Sequence, residues 1–271
     1  MTGNILKQLA LFRKTIREKA NPERALNEKA YLKSPYKFFG VSVPIAEKIA
    51  RDFKRAHMDA SSEFVIALAK RLWDSEYHDE KRLGLRILQH YPGYLGLSTI
   101  PMLEDMLKQA TGWDFVDNIS IHLVGTILEK DKRAFTYLKK WGRSGNFWIR
   151  RASLISQVLL FRKGMGDKRL FFRLAEDMIS EKEFFIRKAI GWTLREMSKS
   201  DPDSAFDFLM KIKGKASSLT LREGSKRLPE KMKEMVLSKH ACVKPIGKTF
   251  VPCFSPLEPA IMTYITNLLI T

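Results

Sequence analysis

The chain has 271 residues, 45% of them hydrophobic, with 48 Lys and Arg against 30 Asp and Glu, a formal net charge of +18. This composition excludes a disordered or fibrous chain, allows a sizeable buried core, and points to a polyanionic partner, nucleic acid first and an anionic membrane surface second. The only two cysteines, Cys242 and Cys253, exclude a disulfide framework and a cysteine metal site, which suits a reducing cytosol.

At the N-terminus, Ile5, Leu9, Phe12 and Ile16 recur at helical spacing with basic residues between them. A basic amphipathic transit peptide has this pattern, and so does a first packed helix, which is the reading adopted. Strand signals are scarce, and from Pro22 to Val236 the apolar residues recur at intervals of three and four. The spacing predicts helices over residues 4–19, 22–33, 43–57, 61–73, 78–90, 100–110, 113–128 and 131–142. Further helices are predicted over 146–162, 167–180, 183–199, 202–212 and 219–236. Ser42 is placed to cap the third, with Pro44 in its first turn. Thr111 and Asp114 have capping-box spacing, which starts a helix near Trp113 and assigns Asp114 to its N-terminus. Gly164-Met165-Gly166 reads as a connection between helices, and Trp73 and Trp141 as core.

The helices also repeat. Trp148-Ile149-Arg150-Arg151-Ala152 is echoed 37 residues on by Phe185-Ile186-Arg187-Lys188-Ala189, and more weakly 35 residues later by Leu221-Arg222-Glu223-Gly224. Lys81-Arg82-Leu83 anticipates the series. Two helices per repeat at this period predict an all-α, HEAT-like helical-repeat solenoid, whose second helices form a concave basic wall. The domain is expected over residues 1–237, followed by a divergent tail over 238–271 where Pro245, Pro252, Pro256 and Pro259 break the pattern. The apolar run from Ala260 to Ile270 is too short to span a bilayer.

Trp113 and Asp117 stand four apart, so a helix puts them on one side, an aromatic plate beside a carboxylate that together hold a cation. Arg150, Arg151, Arg187 and Lys188 at repeat spacing, with Lys33 and Lys37 at the N-terminal rim, are candidates to grip DNA phosphates. Without further information Asp117 reads first as a solvated first-turn acid, and Tyr31 equally as packing beneath the Phe38-Phe39 turn.

Four separated segments sharpen this reading: Ala30-Tyr31-Leu32-Lys33 with Phe39-Gly40-Val41, Trp113-Asp114-Phe115-Val116-Asp117, Trp148-Ile149-Arg150-Arg151-Ala152, and Lys182-Glu183-Phe184-Phe185-Ile186-Arg187-Lys188-Ala189-Ile190-Gly191-Trp192. In this order they resemble the AlkD-like DNA alkylation repair family of HEAT-like-repeat alkylpurine DNA glycosylases. The resemblance implies removal of N3- and N7-alkylated purines from double-stranded DNA by hydrolysis of the N-glycosidic bond, without cofactor or metal and without a base-flipping pocket. It assigns the catalytic carboxylate to Asp117 and the lesion-contacting tryptophans to Trp113 and Trp192. It gives the backbone-gripping arginine to Arg151 and the N-terminal tyrosine to Tyr31. The chain is expected to be a monomer, cytoplasmic and nucleoid-associated through DNA binding, with no membrane partner. Chemistry agrees: an alkylated purine is already cationic and leaves without a general acid, so one carboxylate facing the oxocarbenium-like sugar suffices where most glycosidases need two. The alternatives are a HEAT-repeat binder of damaged or distorted DNA that does not cleave, and a scaffold for an acidic protein.

Overall fold

A computed structural model describes residues 2–238 of the chain. The tail expected over 238–271, including Cys242, Cys253 and the apolar run from Ala260, lies outside the described residues apart from Ser238. The described residues are helical, with a single isolated bridge between Lys37 and Tyr77. In chain order the helices are α1 (Thr2–Glu18), α2 (Pro22–Leu32), α3 (Val43–Ala56), α4 (Ser62–Trp73), α5 (His78–His90), α6 (Ile100–Gln109), α7 (Trp113–Asp117) and α8 (Gly125–Lys130). They continue as α9 (Phe135–Trp141), α10 (Phe147–Ile155), α11 (Val158–Arg162), α12 (Lys168–Met178), α13 (Phe184–Met197), α14 (Pro202–Ile212), α15 (Ser218–Gly224) and α16 (Glu230–Leu237). None of them is long and apolar enough to cross a membrane.

The predicted period returns as bonds between neighbouring repeats. Side chains join residues 36 apart at His78 and Asp114, 34 apart at Asp117 and Arg151, and 34 apart at Arg162 and Glu196. Thr193 reaches the Leu154 carbonyl 39 residues back, and Lys140 reaches Glu104 at 36. The second helices therefore lie side by side: α5 against the α7–α8 segment, α7 against α10, α10 against α13, and α13 against α15. Helices α4, α6, α9, α12 and α14 pack behind them. Trp73 and Trp141 are core, as expected, each donating its indole N–H at 2.9 Å, to Gln109 and Glu104.

Three predicted helices are interrupted. The segment 113–128 holds α7 and α8, separated by a π-helical stretch over Asn118–Val124, where the Gly125 N–H reaches back to the Ser120 carbonyl. Such stretches concentrate at functional sites. The segment 146–162 breaks after Ile155: Ser156 bonds back to the Ala152 carbonyl at 2.7 Å, a bend-inducing bond, and the Gln157 side chain accepts from the Asp167 N–H. The last segment is cut by a 3₁₀ turn, and α16 restarts just after Pro229, which cannot continue a helix.

The expected caps differ as well. Ser42 precedes α3 but makes no side-chain cap bond. The Thr111–Asp114 box does not form: Gly112 is the N-cap of α7, and the Asp114 carboxylate turns to His78 instead, 2.7 Å away. An imidazole from the preceding repeat has outcompeted the local backbone donor.

Candidate active site

The first turns of the second helices build the site. The fifth residues of α5, α7, α10, α13 and α15 are Arg82, Asp117, Arg151, Lys188 and Arg222, so Asp117 is the lone acid in a row of cations. Asn146 and Glu183 cap α10 and α13 by accepting from the Trp148 and Phe185 N–H groups, which fixes where Arg151 and Lys188 begin.

Asp117 and Arg151 form a two-pronged pair, with Arg151 Nε donating to Oδ1 at 2.7 Å and Nη2 to Oδ2 at 2.8 Å. Its third nitrogen, Nη1, donates to the Phe185 carbonyl at 2.6 Å. The guanidinium carbon lies 5.6 Å from the Phe185 ring centroid and 5.9 Å from that of Trp192. The expected cradle joined Asp117 to Trp113; here Asp117 holds the protein's own Arg151, and the aromatic faces beside that cation are Phe185 and Trp192. Burial pushes the Asp117 carboxyl up and the neighbouring Asp114 adds to this, while Arg151 and Lys188 pull it back. Because both oxygens accept from a guanidinium, the pair is ionic.

Trp113 opens α7 one turn before Asp117, and its ring meets Tyr31 edge to face at 6.2 Å between centroids. Tyr31 is 44% exposed and packs on Trp113, not beneath Phe38-Phe39. Trp192 is 5% exposed, and its buried indole N–H finds no acceptor. A buried donor left unmade costs about 1–3 kcal/mol, and such exceptions in native folds call for an explanation.

The expected phosphate-gripping cations are placed differently. Arg151 is 3% exposed and fully engaged, so in this conformation it is not presented to a phosphate. Arg150 is held by Glu181 at 2.7 and 2.9 Å and by the Ser144 carbonyl. Arg187 donates to the Glu181 carbonyl at 2.9 Å. Lys188 lies 3.5 Å from Glu223, and burial pulls its ammonium below the usual range. Lys37 pairs with Glu76 at 2.8 Å on the surface. Lys33 is exposed at the left-handed C-cap of α2, with φ 48°. Repeat spacing in the sequence marks where cations stand but not which carboxylate from the next repeat meets them.

Two features escaped sequence reasoning. His78 is buried, stacked on Phe38 at 4.4 Å and bonded to Asp114, which ties the second carboxylate of the motif away from the site. Phe147, Trp148, Phe184 and Phe185 gather at the starts of α10 and α13, with Trp148 and Phe185 centroids 4.8 Å apart. The matching offsets of 36 and 37 residues were the available signals.

Solved structures of other proteins share this fold. A predicted DNA alkylation repair enzyme from Enterococcus faecalis superposes with a TM-score of 0.71 at 24% identity, over 78% of this chain and 98% of that one. AlkD2 from Streptococcus mutans matches with a TM-score of 0.54 at 17% identity, over 69% of this chain and 90% of that one. The smu.31 protein of Streptococcus mutans UA159 matches with 0.53 at 16%, over 79% and 100%. These likenesses are of fold. No curated protein matches the sequence. The family model for the DNA alkylation repair enzyme matches residues 12–228, a span that contains every side chain of the site just described, and the chain belongs to that family.

Proposed function

We propose that the protein is a DNA glycosylase that hydrolyses the N-glycosidic bond of cationic N3- and N7-alkylated purines in duplex DNA. The observation that carries this reading is Asp117, a carboxylate poised to hold a planar cation beside the Trp192 ring and one helical turn from Trp113. An oxocarbenium-like sugar is such a cation. With Asp114 engaged by His78, one acid faces the site, which suits a leaving base that is already positively charged and needs no proton. Cation–π attraction from each tryptophan adds about 0.5–2 kcal/mol.

Asp117 can serve the sugar only when Arg151 loosens its hold. A backbone phosphate entering beside the lesion offers the guanidinium a replacement partner with matching two-pronged geometry. Arg151 thereby acts on the phosphate in the complex, having positioned Asp117 before it. The unpartnered Trp192 N–H is buried in this conformation, and the same loosening of Arg151 would free it to donate to that backbone.

A second reading, binding of damaged DNA without cleavage, is favoured by one observation: both Asp117 oxygens are already satisfied by Arg151. Single-turnover release of 7-methylguanine from a duplex oligonucleotide separates the two. Release by the wild type, reduced about 10²–10³-fold in Asp117→Asn with DNA affinity retained, is the expected outcome, by analogy with loss of a single charge-stabilising group. Equal release by both proteins removes Asp117 from the chemistry, and no release by either, with tight binding, favours the non-cleaving reading.

A further inference from the structure

Beside Asp117 stands a second carboxylate, Asp114, which the proposed reaction leaves idle. The two are three residues apart on α7, so the helix brings their Cβ atoms within about 5–6 Å on one face. Retaining glycosidases place two acids at a comparable separation, one to protonate the leaving group and one to meet the sugar cation. Asp114 is also near enough to push the Asp117 carboxyl up. Nothing in α7 itself keeps Asp114 from the second role.

What keeps it out is His78. Its Nε2 lies 2.7 Å from Asp114 Oδ2, and the ring is fixed by Phe38, stacked at 4.4 Å, and by Phe115 at 4.5 Å. The side chain is 2% exposed and its Nδ1 has no partner, so the ring makes one polar contact among the described residues, the bond to Asp114. The other oxygen, Oδ1, rests on Gly112, where a Cβ would stand 2.8 Å away. Charged groups nearby are committed elsewhere. On α5, Asp79 and Arg82 bind each other, Glu80 takes Arg13, and Lys81 donates to the Trp73 carbonyl. Lys37 pairs with Glu76, Arg151 of α10 holds Asp117, and Lys188 of α13 lies against Glu223. None of these cations stands within ion-pair distance of Asp114, so its placement rests on His78.

We propose that His78 is a positioning residue that sets base specificity: by holding the Asp114 carboxylate it leaves the site one acid, which restricts release to purines that depart already charged. The inference rests on the glycosylase reading. With the hold removed, a protonated Asp114 gives its proton to a ring nitrogen of a neutral purine as the C1′–N9 bond breaks and the bonding pair stays with the base. Water adds to C1′, its surplus proton goes to solvent, and Asp114 is reprotonated from solvent. An alkylated cationic purine needs none of this, because the departing pair neutralises its charge.

The test is single-turnover release of hypoxanthine, a neutral purine, and of 7-methylguanine from otherwise identical duplexes between pH 8 and 5.5. Wild type is expected to release 7-methylguanine alone. His78→Phe keeps a ring between Phe38 and Phe115 and deletes the donor. It should release hypoxanthine at least about tenfold faster than wild type, a modest share of what a general acid supplies. That release should climb as pH falls, since only the protonated acid serves. His78→Gln retains an amide N–H for Asp114 and should show the wild-type pattern. Adding Asp114→Asn to His78→Phe should abolish the gain, which a mere loosening of the fold would not explain. Gly112→Ala asks the same question with His78 in place, since its methyl displaces Asp114 Oδ1. No hypoxanthine release from folded His78→Phe, or from Gly112→Ala where His78→Phe does not fold, overturns the assignment. So does a gain that survives Asp114→Asn or appears in His78→Gln. Release of 7-methylguanine by wild type reports on the glycosylase reading separately: where it is present and the variants gain nothing, only the role of His78 falls.

Discussion

The first turn of α5 and the first turns of α7, α10 and α13 occupy corresponding places in successive repeats, yet they resolve their charges in opposite ways. In α5 five consecutive polar residues, His78 to Arg82, are all buried. Glu80 takes two bonds from Arg13, Asp79 accepts from the Phe39 and Val41 N–H groups, and Arg82 joins Asp79, Glu28 and the Val41 carbonyl. Lys81 sits over the Tyr36 and Trp73 rings and donates to the Trp73 carbonyl. This network fastens α1, α2 and the 36–41 segment to the solenoid. The first turn of α7 instead offers Asp117 to one cation, Arg151, beside a tryptophan whose N–H is unpaired. At the fifth position Arg82 is bound by acceptors from α2, α5 and the 36–41 segment, whereas Arg151 holds one acid and one carbonyl.

Exchanging the arginines breaks the comparison most sharply. Removing one partner of a buried pair costs about 3–5 kcal/mol, so Arg82→Ala and Arg151→Ala should both lower stability by that order in denaturant melts. Arg82→Ala is expected to retain base release in the folded fraction, whereas Arg151→Ala loses it. The double variant Asp117→Leu with Arg151→Met should recover most of the stability and none of the activity, since a buried pair replaced by apolar groups is often neutral. Recovery of release in that variant would move the chemistry elsewhere.

Trp192→Phe sharpens the contrast at smaller scale. It keeps an aromatic face and deletes the orphan N–H, so thermal stability should hold or rise slightly while single-turnover release falls about tenfold, the equivalent of one hydrogen bond of about 1.4 kcal/mol. A loss of stability with unchanged release would make the N–H structural.

A separate effect concerns acid stability. His122 titrates at about 4 in the folded protein against 6.5 when unperturbed, so the unfolded chain binds its proton first. The stability held by the neutral ring is complete above about pH 6.5 and is lost as pH falls toward 4, by about 3 kcal/mol at 1.36 kcal/mol per unit. His122→Gln should flatten urea melts over that window, and an unchanged pH profile would mean that the ring is not held neutral.

The helices were legible because their signal is local. Apolar residues at three and four, prolines at first turns and a period near 37 residues are carried by the chain itself, and most helix ends fall within two residues of the expected ones. Trp113 and Asp117 could be placed on one face for the same reason, since four residues make one turn. The interruptions at Asn118–Val124 and Ser156 were not legible, because both answer to packing against the neighbouring repeat: a Cβ at Gly125 would stand 3.1 Å from the Ser156 carbonyl oxygen. Nor could the sequence say that Arg151 would face Asp117 and not solvent, that Asp114 would abandon its own helix end for His78, or that Trp192 would keep an unpaired N–H. Each of those outcomes joins residues roughly 34 to 36 apart or depends on what such a neighbour leaves unsatisfied. By itself the sequence determined which side chains each helix offers and at what period. Only the stacking of repeats decided which charges meet, because burial makes an ion pair depend on the one partner within reach and removes water as an alternative.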